Sequence, residues 1–223
     1  TVPTIPRAVM ERAAHPAYGY FQPRKAYYDA VIHWHEQSYG TTGLTPECIG
    51  YENGVLGGVV SALKIFCQPG DSIIIQSPTY IGFTHCAEDN GWKLVLNPLI
   101  QDETGIWRID YKDLEEKVSS GKIHAAIFCS PHNPAGRVWE PWEIEKLMDI
   151  YRKYDVYVVS DEIWADLTMP GFRHTPTQMV SEDARMRTVA LYAHSKNFNL
   201  SGLVGSYHVI YNPYLRERVT KAG

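Results

Sequence analysis

Ala125-Ala126-Ile127-Phe128-Cys129-Ser130-Pro131-His132-Asn133-Pro134-Ala135-Gly136 is the stretch that decides how the chain is read. Its first five residues are apolar without a break and have the length of a strand. A strand apolar on every side chain is covered on both faces, as in a parallel sheet. Two prolines and a glycine then fix a loop that holds Asn133. An amide held there can donate a hydrogen bond to a ligand oxygen, although an Asn-Pro pair taken alone is equally a plain turn former.

Outward from this stretch the pattern repeats. Ile73-Ile74-Ile75 and residues 93–96, 156–159 and 189–192 read as strands, Ile49-Gly50-Tyr51 as a short one before them and 203–211 as a last one. Between them lie helical patterns over residues 54–66, 77–91, 110–118 and 140–154, and a further helix over 26–39 precedes the series. Asp110 is placed to cap one of these, and Ile144, Leu147, Met148 and Tyr151 form the apolar stripe of another. Strands alternating with helices predict a three-layer α/β/α sandwich with a mostly parallel sheet. Residues 1–30, rich in Pro and Tyr, read as an N-terminal loop region.

Composition bounds the function. The chain has 223 residues, 44% hydrophobic and 21% charged, with a net charge of -4. Mean hydropathy is -0.27 and the pI about 6.1. This gives material for a sizeable core and no basic stripe for nucleic acid. No apolar run approaches a membrane span. The start has neither the basic nor the apolar region of a signal peptide, and without an initiator Met the chain is expected to begin inside a longer protein. Cys48, Cys67, Cys86 and Cys129 form no CxxC pair and read as reduced, packed thiols of a cytoplasmic protein. His33 and His35 fall on different helix faces, against a shared metal site.

In parallel sheets ligands sit beyond the carboxyl ends of strands. Five such junctions carry chemistry. Asn53-Gly54-Val55-Leu56-Gly57-Gly58 opens a helix, whose free N–H groups and dipole suit a phosphate, though a glycine-eased turn explains it equally. Tyr80, after Ser77-Pro78-Thr79, is an aromatic plate or simple packing. Asn133 is the amide. Asp161, in Ser160-Asp161-Glu162-Ile163-Trp164, is a carboxylate at a buried strand tip, costly unless a cation or donor meets it, or else a helix cap. Lys196, after Tyr192-Ala193-His194-Ser195, is an amine that a dry pocket would make reactive toward carbonyls, or a surface charge. A pyridine ring with a phosphate arm and an aldehyde needs such a set: the carboxylate holds the ring nitrogen protonated and the lysine forms an imine.

In that order, Gly54-Val55-Leu56, Ser77-Pro78-Thr79-Tyr80, Asn133-Pro134-Ala135-Gly136, Asp161-Glu162-Ile163 and Ser195-Lys196 resemble the fold-type-I pyridoxal 5'-phosphate (PLP) enzymes, the aspartate aminotransferase superfamily. His15-Pro16-Ala17-Tyr18-Gly19-Tyr20, Cys129 to Trp139 and Ser195-Lys196-Asn197-Phe198-Asn199-Leu200 are most similar to its cystathionine beta-lyase branch. The resemblance implies one PLP-binding large domain over 1–223. It implies Gly54, Val55, Leu56 and Ser195 on the phosphate, Tyr80 stacked on the ring and Asn133 on its phenolic oxygen. It further implies Asp161 on the pyridinium and Lys196 as Schiff-base lysine and proton carrier. Tyr20 would reach the phosphate of a neighbouring subunit, so a homodimer is implied, with no metal, nucleic acid or membrane partner.

Two departures point to the lyase branch. Trp164 stands where aminotransferases carry a tyrosine, and Leu203-Val204-Gly205-Ser206 replaces a phosphate-binding arginine. The family's C-terminal small domain and a pocket-shaping N-terminal segment have no counterpart in the chain. The implied activity is a PLP-dependent carbon–sulfur β-lyase taking an amino acid such as cystathionine to pyruvate, ammonia and a thiol. The alternatives are a class I/II aminotransferase and a non-catalytic PLP-binding regulatory domain.

Overall fold

The structure is a computed structural model that describes residues 2–20 and 24–222; Phe21, Gln22 and Pro23 of the expected loop lie outside it. The described residues form eight strands in one sheet, ordered β1-β8-β7-β6-β5-β2-β3-β4. These are β1 (Ile49–Glu52), β2 (Ser72–Ser77), β3 (Lys93–Gln101), β4 (Trp107–Ile109), β5 (Ile123–Cys129), β6 (Tyr157–Asp161), β7 (Thr188–Tyr192) and β8 (Ser206–Val209). The five central strands, β7-β6-β5-β2-β3, are parallel. Strands β4, β8 and β1 add antiparallel edges.

The helices are α1 (Thr4–Ala13), α2 (Lys25–Tyr39), α3 (Val55–Leu63), α4 (Ile81–Asp89), α5 (Tyr111–Val118), α6 (Pro141–Lys153), α7 (Glu182–Arg187) and α8 (Pro213–Ala222). They cover both faces of the sheet. Consecutive strand residues point to opposite sides: Ile73 and Ile75 join a core with Val59, Leu63, Phe83 and Leu191. Ile74 joins another with Phe128, Leu147, Tyr151 and Val158. Two cores on one sheet make the three layers expected.

Local chemistry sets several boundaries. Asp110 accepts from the N–H groups of Lys112 and Asp113 and caps α5 as expected. A reciprocal box between Glu140 and Glu143 starts α6, with Pro141 in its first turn. The expectation of an N-terminal loop over 1–30 is corrected: it contains all of α1 and the start of α2. Helix α1 buries no residue, so no apolar stripe announces it; Pro3, with φ -60°, starts it. Strand β3 runs past residue 96 because its outer half pairs with β4, Leu99 opposite Ile109. The last strand is shorter than 203–211 because a 3-10 turn takes Ser201–Leu203.

Strand β3 leaves β2 toward one edge of the sheet, and β5, β6 and β7 follow toward the other. The winding therefore reverses between β2 and β5. Strand β1 is antiparallel to β8, which is antiparallel to β7. So β1 points the same way as the parallel strands, and the loops after β1, β2, β5, β6 and β7 all leave one edge of the sheet.

Candidate active site

At that edge a cavity of about 460 Å3 is lined by Asn53, Gly54, Val55, Leu56, Gly57, Tyr80, Phe83, Cys129, Asn133, Asp161, Ile163, Trp164, Lys196 and Ser201. Its lining comes from five strand ends, and its size suits a small cofactor.

The loop after β1 turns at Gly54, whose φ of +90° a side-chain-bearing residue rarely adopts. Gly58 N–H to Gly54 C=O, 3.1 Å, is the first bond of helix α3. The N–H groups of Val55, Leu56 and Gly57 precede it and have no partner within the helix, a donor set suited to an anion. Helix α3 lies directly on β7: a Cβ at Gly58 would fall 2.6 Å from Leu191 Cδ2. The Gly54 turn is thereby held against the strand that leads to Lys196.

Tyr80 flanks the start of α4, 40% exposed, its ring edge-on to Phe83. The flat side of a half-exposed phenol is available for stacking. Asn133 enters from the loop after β5, which is closed by hydrogen bonds from His132 N–H to Arg137 C=O at 2.7 Å and Gly136 N–H to His132 C=O at 2.8 Å.

Asp161 ends β6, is 5% exposed, and among the described residues accepts one side-chain hydrogen bond, from Ile163 N–H at 3.0 Å. Burial pushes its carboxyl up to about 7; Ile163 N–H opposes this, neighbouring Glu162 adds to it and Lys196 opposes it. A buried, under-partnered acid at a cavity wall is a site awaiting a cation or an N–H donor. Lys196 lies across the lining, its Nζ 5.5 Å from the centroid of the Trp164 ring. The expectation of a lysine held dry needs correcting: Lys196 is exposed.

Gly54, Val55, Leu56, Tyr80, Asn133, Asp161, Trp164 and Lys196 are thus brought together on one wall set. Ser195 and Tyr20 are not among the lining residues. Ser195 offers its carbonyl inward to Leu200 N–H and the Ser201 hydroxyl, and it is Ser201 that reaches the cavity. Tyr20 is fully exposed, at 103%. Sequence reasoning missed Ser201, Cys129 and Ile163; the first sits in a 3-10 turn that has no periodic signal. Asn133 and Trp164 also wall a second cavity of about 460 Å3, lined further by Ile106, Trp107, Arg137, Leu167 and Phe172.

Residues 2–221 match the family described as Aminotransferase class I and II. The chain belongs to that family. Among curated members it is 38% identical over 206 residues to cystathionine beta-lyase PatB of Bacillus subtilis (strain 168), covering 92% of this chain and 53% of PatB. Among solved structures it superposes with a TM-score of 0.94 and 34% identity on cystalysin from Treponema denticola, which contains PLP, covering 99% of this chain and 56% of that one. It also superposes on the PLP-bound C-S lyase from Staphylococcus hominis, at 0.93 and 31%, covering 99% and 56%. The chain spans about half the length of these family members. The family's fold is the three-layer arrangement found here. No helix among the described residues is long and apolar enough to cross a membrane.

Proposed function

We propose that the chain is the PLP-binding large domain of a carbon–sulfur β-lyase acting on an amino acid such as cystathionine. One observation carries this: an amine, a buried acid, an amide, an aromatic plate and an open helix start converge on one cavity. The residues fit the cofactor. Asp161 lacks a cation, and a protonated ring nitrogen is one. The N–H groups of Val55, Leu56 and Gly57 suit a phosphate. The relatives are named cystathionine beta-lyase and C-S lyase.

PLP supplies a ring that withdraws electrons from the substrate's α-carbon. Asp161 would hold the ring nitrogen protonated. Asn133 would donate to the ring's phenolic oxygen, and Tyr80 would stack on its face. Lys196 would hold the aldehyde carbon and serve as the base for the substrate's α proton. Trp164 lies against Lys196 and, unlike a tyrosine, cannot ionise beside it. Tyr20 projects from the chain, as a residue serving the phosphate site of a second subunit would; a homodimer is part of the proposal. So is the cytoplasm, which suits four free cysteines.

The test is product analysis with PLP and cystathionine, using Lys196→Ala as blank. Pyruvate and a free thiol from the native protein, with neither product nor a visible absorbance band from the blank, are expected. Amino transfer that needs an added keto acid and releases no thiol would replace the lyase reading. PLP binding without turnover of any amino acid would leave a regulatory domain.

A further inference from the structure

Glu162 follows Asp161 directly and takes no part in lining the cavity. Successive side chains at a strand end point opposite ways. Asp161 enters the cavity; Glu162 goes back into the protein, 1% exposed. There its carboxylate accepts four hydrogen bonds. Oε1 takes the Ser160 hydroxyl at 2.9 Å and Thr177 N–H at 3.0 Å. Oε2 takes His174 Nε2 at 2.7 Å and the Tyr192 hydroxyl at 2.5 Å. Burial alone would raise this carboxyl, but His174, Tyr192 and Thr177 N–H hold it below its ordinary value.

We propose that Glu162 is a positioning residue: it ties the tip of β6 to β7 and to the 174–177 segment, and so fixes the direction in which Asp161 enters the cavity. The inference rests on the PLP reading above.

Two observations carry it beyond ordinary fold stability. First, the space behind the site is only partly filled: Tyr192 packs against His35, Tyr39 and Tyr207, but a cavity remains beside it. That cavity, the third described, has about 310 Å3 and is lined by Glu162 and Tyr192 together with Ala193, His194 and Asn197 of the Lys196 loop. Beside that cavity the direction of the Glu162 side chain is fixed by its hydrogen bonds. Second, the clamp reaches both halves of the reactive pair. Glu162 N–H bonds Leu191 C=O at 2.9 Å, and its side chain holds Tyr192, four residues before Lys196. Ser130 N–H bonds Asp161 C=O at 3.0 Å, tying in the strand that leads to Asn133. One buried charge thus sets the relation of acid, amine and amide. Its cost in burial is offset by four donors, an arrangement an apolar side chain could not replace without freeing the strand tip.

The test compares native protein, Glu162→Gln and Tyr192→Phe after loading with PLP. It reads the dissociation constant for PLP and the visible circular dichroism of the bound ring, which reports ring orientation. Far-UV dichroism and thermal midpoint check the fold. Glu162→Gln is expected to stay folded, to bind PLP about tenfold more weakly, the lower end of what outer supporting groups are worth at other sites, and to lose most of the visible dichroism at saturation. Tyr192→Phe removes one bond and keeps the ring; it is expected to move both readings the same way by a smaller step. A folded Glu162→Gln with native affinity and native dichroism overturns the proposal. If Glu162→Gln does not fold, unchanged readings in Tyr192→Phe overturn it. A native protein that shows no visible band sinks the PLP reading itself, and this inference with it.

Discussion

Two buried acids, one in the first turn of a helix and one at a strand tip, are treated in opposite ways. Glu143, in the first turn of α6, is met by Arg108 Nη1 at 3.0 Å and by the Arg137 guanidinium, and also accepts from Glu140 N–H at 2.9 Å. Asp161, at the tip of β6, is met by one backbone N–H. A charge whose partners all come from the fold is there to hold the fold. A charge left short of partners beside a cavity is there for something that arrives later.

The largest effect that could break this contrast is at Glu143. Replacing it by Leu strands partly buried Arg137 and takes one of three carboxylates from Arg108, and the chain is expected to lose about 4 kcal/mol in urea denaturation. A loss below about 1 kcal/mol would show the pair to be a surface contact in energetic terms.

Asp161 should behave in reverse. Its carboxyl is ordinarily at 3.8 and is pushed up to about 7, so the folded chain binds this proton more tightly than the unfolded chain. Without cofactor, stability therefore falls as pH rises from the first value through the second. Asp161→Asn carries no charge and keeps an acceptor for Ile163 N–H. It is expected to be more stable than the native chain at pH 8, on the order of 4 kcal/mol, and close to it near pH 4. Thermal melts at the two pH values decide. A less stable Asn variant at pH 8 would mean that Asp161 is held by the fold after all.

Asp110 supplies the small end of the scale. As a half-buried cap on α5, its replacement by Ala should cost about 1 kcal/mol, read by the same melts.

The parts of the fold that sequence reveals are those that water excludes. Ile73-Ile74-Ile75, Ala125 to Cys129 and Val189 to Tyr192 are buried on both faces, so composition alone marks them as strands. Helix α1 buries nothing, β4 has three residues, and α7 has six; none carries a long enough pattern to be seen. The site was legible where residues follow a buried strand directly, as with Asn133, Asp161 and Lys196. Ser201 was not, because a 3-10 turn brings it back to the cavity from five residues beyond Lys196. The role of Glu162 depends on His174 and Thr177, whose approach is set by an irregular segment that no periodicity describes.

The reversal of winding between β2 and β5 has a consequence for how the molecule matures. The turn at Gly54 and the amine of Lys196 are separated by most of the chain, yet wall the same space. Contacts so distant in sequence close late. A nascent polypeptide halted before β7 pairs with β6 would own the phosphate-sized nest and no tether. Under the proposed function, coenzyme uptake would serve as a stopwatch for completion of the sheet, readable by colour during refolding.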